Sequence, residues 1–322
     1  MCNDRKVIIP SEYNGKPVVA IGDSAFENDG FIKVVEIPNS VTSIGESAFY
    51  YCTSLTSVII PDRVTSIGNC AFYICSLTSV NYLGTIDEWV QIEFAGDYSN
   101  PLCSAGNLYI NGELVTEVEL TTVTKISNYA FCNCDSLTSV VIGDSVTSIG
   151  NGAFSSCDSL TSVVIPDSVT SIGNGALSSC DSLTSVVIPD SVTSIGNSAF
   201  FFCDSLTSVN YLGTIDEWAQ IELADRDSNP WCSAENLYIN GELVTEVELT
   251  TATKISNYAF SGCDSLTSVV IPDSVTSIGD CAFCYCNSLT NIYCYAERQP
   301  NGWNGGWIAN SNATVHWGYK GE

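Results

Sequence analysis

The 322-residue sequence carries 36 acidic against 10 basic residues, a formal net charge of −26 with a pI near 4.1. That balance argues against phosphate backbones and anionic membrane surfaces, so neither nucleic acid nor membrane insertion is expected. Only 14% of residues are charged while 45% are hydrophobic, which excludes a disordered acidic tail, and no run of about 20 apolar residues offers a membrane span.

The chain opens on Met1-Cys2-Asn3-Asp4-Arg5-Lys6, which lacks an apolar h-region, so no signal peptide is expected. Residues 1–30 read as an N-terminal capping repeat. Its spacing from Ile9 to Ile21 is 12 where Ile37 to Ile44 is 7, leaving room for a Tyr13-Asn14-Gly15-Lys16-Pro17 loop. Beyond it the phrase Ile-Pro-Asp-Ser-Val-Thr-Ser-Ile-Gly recurs almost verbatim. The apolar residue before the Pro marks Ile37, Ile60, Ile142, Ile165, Ile188 and Ile271, with steps of 23 from 37 to 60, 142 to 165 and 165 to 188. Alignment adds Ile9, Tyr82, Leu120, Tyr211, Leu249 and Cys294, for twelve coils. A period in the twenties maintained over such a length predicts a solenoid spanning 31–294.

One coil shows the reason. In Leu160-Thr161-Ser162-Val163-Val164-Ile165, period-two alternation turns Val163 and Ile165 inward and Ser162 and Val164 outward. Pro166-Asp167-Ser168 supplies a turn, Val169 to Gly173 reads as a second short strand, and Ala153, Phe154 and Cys157 form the returning limb, expected as a turn of helix. A single coil cannot bury its apolar side, whereas stacked coils make a continuous core. The unit Phe154-x-x-Cys157-x-x-Leu160-x-x-Val163-x-Ile165-Pro166-x-Ser168-Val169-Thr170-x-Ile172-Gly173 resembles the BspA-like leucine-rich repeat family, and the likeness runs from about Val7 to Cys294. The resemblance implies a leucine-rich-repeat solenoid with one parallel strand per coil. It also implies a surface or secreted protein of an anaerobic bacterium or parasitic protist, of the kind that includes adhesins for host matrix proteins or other cells.

Two coils are lengthened alike, at 83–119 and 212–248: the steps from Tyr82 to Leu120 and from Tyr211 to Leu249 are both 38, against 23 in the plain coils. Thr78–Phe131 differs from Thr207–Phe260 at eight of 54 positions, which reads as duplication of a larger module. Thr85-Ile86-Asp87-Glu88 and Thr214-Ile215-Asp216-Glu217 have capping-box spacing, so a short helix carrying Trp89 or Trp218 should follow. Leu108 to Leu114 reads as a hairpin about Asn111-Gly112, repeated at Asn240-Gly241. The inserts are either recognition loops or segments whose Trp docks a helix on the solenoid, and docking is the simpler reading. The Tyr-x-Gly-Thr-x-x-Glu-Trp string is similar to an insertion within the same repeat family.

Sixteen cysteines run along the chain, eight at one repeat position: Cys52, Cys75, Cys134, Cys157, Cys180, Cys203, Cys263 and Cys286. Stacked rungs lie about 4.8 Å apart, longer than the ~3.8 Å Cβ separation of a disulfide, so a ladder of free buried thiols is expected. Cys281-x-x-Cys284-x-Cys286 is the one cluster with zinc-knuckle spacing, yet Cys286 belongs to the ladder and Cys281 fills a small-residue slot shared with Gly152, Gly175 and Ser198. No metal site is assigned. Asp144, Asp167 and Asp190 share one turn position and Asp135, Asp158, Asp181 and Asp204 another, which leaves Ca²⁺ as the only candidate ion, and no cofactor is expected. Past Cys294 the pattern stops, and Trp303, Trp307, Trp317 and Tyr319 among Gly and Asn mark 295–322 as a C-terminal cap.

Catalysis is not expected. His316 is the lone histidine, Asp87 and Glu88 are helix neighbours that do not face each other, and no nucleophile-elbow, P-loop, zincin or dinucleotide signature occurs. The candidate binding face is the outward strand row: Ser139, Val141, Ser162, Val164, Ser185 and Val187, changing where Asn81, Asn210 and Tyr293 replace Val. The reading is a non-catalytic binding protein, a cell-surface adhesin for host or neighbouring-cell proteins. Its alternatives are a cytoplasmic protein-interaction scaffold and a structural surface spacer.

Overall fold

The computed structural model describes residues 6–96, 98–230, 234 and 236–321. The chain divides into two compact units, 1–160 with 179–181 and 161–178 with 182–322. Both are parallel-strand solenoids, with about thirteen turns in all over the described residues.

In the first unit a long ladder runs through Lys6–Ile8, Val34–Glu36, Ser57–Ile60, Ser79–Tyr82 and Leu108–Ile110, each strand parallel to the one before. Its register sets Val35 beside Val58 and Val58 beside Val80, so the inward positions stack into one apolar wall. A second ladder of two-residue strands, Ala20–Ile21, Ser43–Ile44, Ser66–Ile67 and Glu93–Phe94, adds another. Both ladders then start afresh at Glu117–Leu120 with Ser139–Ile142 and at Lys125–Ile126 with Ser148–Ile149. The second unit repeats the plan. Ser162–Val164, Ser185–Ile188, Ser208–Tyr211 and Leu237–Ile239 make one long ladder. Glu246–Glu248, Ser268–Ile271, Asn291–Cys294 and Thr314–Trp317 make the next.

The repeated threonines are explained by coil-to-coil hydrogen bonds. Thr78 donates through both its amide, at 2.9 Å, and its hydroxyl, at 3.2 Å, to the carbonyl of Thr56 one coil earlier. Thr207 does the same to Thr184, and the Val-Thr-Ser threonines follow suit, as Thr193 does to Thr170. The Thr side chain thus adds a second bond to a rung that a bare backbone would hold with one.

The returning limb is not the turn of helix that the sequence suggests. It is a run of turns in which the amide of Phe49 donates to the carbonyl of Ala71 at 2.8 Å, and Phe131 and Phe260 donate likewise to Ala153 and Ala282. Those amides bond the next coil and are no longer available for a helical bond to the fourth residue back. The small-residue slot has a left-handed backbone, with φ of 54° at Ser47, 57° at Gly152, 54° at Ser198 and 49° at Cys281. Phenylalanine rings stack in this limb at 5.0 Å for Phe26–Phe49 and 5.1 Å for Phe260–Phe283.

The ladder cysteines are thiols, as expected, and they are hydrogen-bonded. In the plain coils the sulfur donates to a backbone carbonyl in the preceding coil, Cys52 to Phe26, Cys157 to Phe131 and Cys203 to Leu177, all at 3.1 Å, while Cys134 and Cys263 lie against the hydroxyls of Ser136 and Ser265. Cysteine at this position is a small apolar filler that still satisfies a buried acceptor. Burial pushes the Cys134 thiol up to about 11 and the Cys286 thiol up to about 12, so these two stay protonated at neutral pH. Cys75 departs slightly from the expectation, being only half-buried.

Both segments differ from the sequence reading of single lengthened coils with an insert. Leu108–Ile110 is a rung of the long ladder and Glu93–Phe94 a rung of the short one, so the segment supplies a further coil. Only the hairpin departs, with Glu113–Leu114 returning antiparallel over Asn111 and Gly112 at φ 51° and 89°. The helices Ile86–Trp89 and Ile215–Trp218 form with their capping boxes. Trp89 and Trp218 are fully buried, and their indole N–H groups donate to the carbonyls of Ala130 at 2.8 Å and Ala259 at 2.7 Å, which is docking.

The two ends also keep the repeat plan. Glu12–Tyr13 and Lys16–Pro17 form the N-terminal hairpin that accounts for the long Ile9 to Ile21 spacing. Past Cys294, where the sequence pattern stops, Thr314–Trp317 adds a strand in register with Asn291–Cys294. Trp303 bridges to Ile278 on the short ladder, and buried Trp307 packs edge-on against Phe283, so two tryptophans stand where earlier coils use Ile and Phe.

Candidate binding face

The outward row exists as the alternation predicts, and register places its members side by side. In the first unit Ile59 pairs with Asn81 and Asn81 with Tyr109, while Glu119 pairs with Val141. In the second, Val164, Val187, Asn210 and Tyr238 follow one another, then Glu248, Val270, Tyr293 and His316. Val141 and Val164 are 58% and 59% exposed, unusually open for valine. Ser162 is exposed, and Ser139, Ser185 and Val187 are half-buried between neighbouring strands.

Two of the expected binding residues have structural work. The side-chain oxygen of Asn81 accepts from the amide of Gly112 at 2.8 Å, and Asn210 accepts from Gly241 at the same distance. Each asparagine therefore holds the tip of its hairpin, which accounts for the change from Val in the coil preceding the hairpin.

Tyr293 is the richest position. Its ring stacks on His316 at 4.8 Å and meets Tyr319 at 4.9 Å, and Tyr295 lies 5.9 Å from Tyr319. His316 Nε2 is 3.0 Å from the side-chain oxygen of Asn291, which orients the imidazole. His316 is a member that the sequence reading missed. The signal was present, since Tyr293 to His316 is one ordinary repeat step, but the Trp- and Gly-rich segment between hides the repeat. In the first unit the same row carries a shallow depression of about 350 Å³ lined by Ile8, Glu36, Pro38, Ile59, Asn81 and Leu83.

The ionisable groups lie along turns and do not converge. Burial and the neighbouring Asp158 raise Asp135 above the usual carboxylate range, as burial and Asp181 do for Asp158. Asp216 goes the other way: burial opposes its charge, but amides of Ala252, Thr250 and Thr251 and the Thr250 hydroxyl hold the carboxyl below the usual range. Cys281 and Cys284 are joined as a disulfide and Cys286 donates to the Phe260 carbonyl at 2.9 Å, so the knuckle spacing serves other bonds. No group of three His, Cys, Asp or Glu among the described residues is placed to hold a metal ion. Cys232 lies outside the described residues.

The profile of the BspA type leucine rich repeat region, in six copies, matches residues 19–100, 107–221 and 235–299. The chain belongs to this family. Among solved structures it is similar to a leucine-rich repeat protein from Bacteroides ovatus, at 21% identity over 98% of this chain and 93% of that one, with a TM-score of 0.49. A leucine rich cell surface protein from Faecalibacterium prausnitzii is 26% identical over 97% and 92% of the two chains, at a TM-score of 0.42. The pneumococcal vaccine antigen PcpA is 12% identical over 96% and 83%, at 0.44. A comparison with curated protein sequences finds no match. Family members are repeat proteins that bind other proteins, and no helix among the described residues is long and apolar enough to cross a membrane.

Proposed function

We propose that this BspA-type chain is a non-catalytic adhesin, displayed at the cell surface, that grips proteins of a host or a neighbouring cell through its outward strand row. The observation that carries this reading is the row in each unit, in which side chains line up rung by rung, with an open valine at Val141 in the first, another at Val164 in the second, and an aromatic cluster at Tyr293 in the second. Aromatic side chains are enriched at the energetic centres of interfaces, whereas a row of shallow, repeated Ser and Val positions suits many weak contacts more than one deep site. A surface of net charge −26 favours partners with basic patches. The Faecalibacterium protein named above, described as a cell surface protein, fits the same setting.

The test is binding of purified chain to immobilised extracellular-matrix proteins and to intact epithelial cells at micromolar concentration. The reading expects saturable binding that weakens at high salt and falls at least tenfold in a Tyr293→Ala, Val164→Glu double variant. No binding to any of these surfaces, or binding indifferent to both substitutions, overturns it.

A further inference from the structure

One pair of thiols lies outside the cysteine ladder. Cys103 sits in the four-residue helix Leu102–Ala105 of the first lengthened coil, and Cys132 in the returning limb of the next coil. The side-chain nitrogen of Asn133 reaches both sulfurs, at 3.4 Å from Cys103 and 3.1 Å from Cys132. The backbone around them is fixed. Asn100 Nδ2 donates to the carbonyls of Tyr129 at 2.8 Å and Ala130 at 3.0 Å, and Ser104 Oγ to the carbonyl of Phe72 at 3.2 Å. Ladder sulfurs such as Cys52 and Cys75, by contrast, point at a carbonyl one coil back and repeat along the stacking direction.

We propose that Cys103 and Cys132 form a disulfide when the protein meets a thiol-oxidising environment, stapling the lengthened coil to the coil that follows. The oxidant is a small-molecule disulfide. Half-buried Cys103 is the thiol it reaches: the Cys103 thiolate attacks one sulfur, the oxidant's S–S bond breaks, and one small thiolate leaves. Cys132, buried beside it, then gives its proton to solvent, attacks the Cys103 sulfur and expels the second small thiolate. Two protein thiols are oxidised and one small disulfide is reduced to two thiols. The adjacent Cys103 thiol and burial hold the Cys132 thiol protonated, so Cys132 is not the thiol that attacks the oxidant first, and its loss of a proton governs the second step.

The duplicated module carries a built-in contrast. Cys232 is the counterpart of Cys103 in the second copy, but the counterpart of Cys132 is Ser261, so the second copy cannot make the link. The staple is a property of the first copy alone.

The native chain is equilibrated with oxidised and reduced glutathione, alkylated, and cleaved after acidic residues, which isolates Cys103 in a peptide containing no other cysteine. Mass spectrometry should find that peptide joined through Cys132, with the link lost after dithiothreitol, and thermal unfolding should rise by a few degrees on oxidation. In Cys132→Ser, which copies the residue at 261, the chain should fold, carry glutathione on Cys103 and show no such rise. Wild-type Cys103 that is recovered alkylated, glutathionylated alone, or joined to a ladder thiol such as Cys75 overturns the proposal.

Discussion

Asp216 and Asp87 occupy the same position in the two copies of the module and are used differently. Asp216 accepts from the amides of Thr250 at 2.9 Å, Thr251 at 3.1 Å and Ala252 at 2.9 Å, closing a turn that would otherwise hold three unpaired donors. Asp87 is bonded to the Thr122 hydroxyl through one oxygen, while the other is buried without a partner. Because the folded state holds the Asp216 carboxyl below its ordinary range, its contribution is present above that range and is lost as pH falls through it. Asp216→Asn should therefore cost on the order of 1–2 kcal/mol at pH 7, and the gap to wild type should close as the medium is acidified towards pH 3. Urea titrations at pH 7, 5 and 3 read this directly; a gap that does not depend on pH would show that the carboxylate charge plays no part. Neither role was legible beforehand, since the capping-box motif announces Glu88 and Glu217 and says nothing of the Asp beside them.

At the scale of the coil, the Ile-Gly that ends the short strands at Ile67, Ile149 and Ile195 is set by spacing. A Cβ on Gly68 would stand 2.5 Å from the amide of Glu46 in the preceding coil, one on Gly150 2.6 Å from Asn128, and one on Gly196 2.5 Å from Asn174. None of these three needs a left-handed backbone. Gly150→Ala should thus force neighbouring rungs apart and destabilise by about 1–3 kcal/mol, whereas Ser47→Gly in the left-handed slot should be neutral or slightly stabilising. Chemical denaturation of the two variants separates close approach from backbone conformation. Equal losses would contradict it. The strands, hairpins and capped helices could be read from the sequence because alternation, Asn-Gly and Thr-x-x-Glu are local signals. The returning limb and the extra coils could not, because they depend on bonds between coils: Phe131 gives its amide to Ala153, and Leu108 finds Val80 across a spacing longer than the ordinary repeat. Tyr293 was found by its departure from Val, and His316 was hidden by a segment whose tryptophans disguise the period.

For the molecule as a whole, regularity is the functional argument. Polar side chains recur at positions that hold a neighbouring coil: Thr78 and Thr207 on the carbonyls before them, Cys157 on Phe131, Asn81 on its hairpin. Each unit leaves a repeated row facing solvent, with an aromatic cluster at Tyr293 in the second, together with a strongly acidic surface. Such a face suits contact with another macromolecule, and the proposed role requires that it be displayed outside the cell. The most direct measurement is antibody labelling of the native protein on intact, unpermeabilised cells, before and after brief trypsin treatment. The account predicts labelling that trypsin removes; labelling that requires permeabilisation would contradict it and leave an intracellular scaffold in its place.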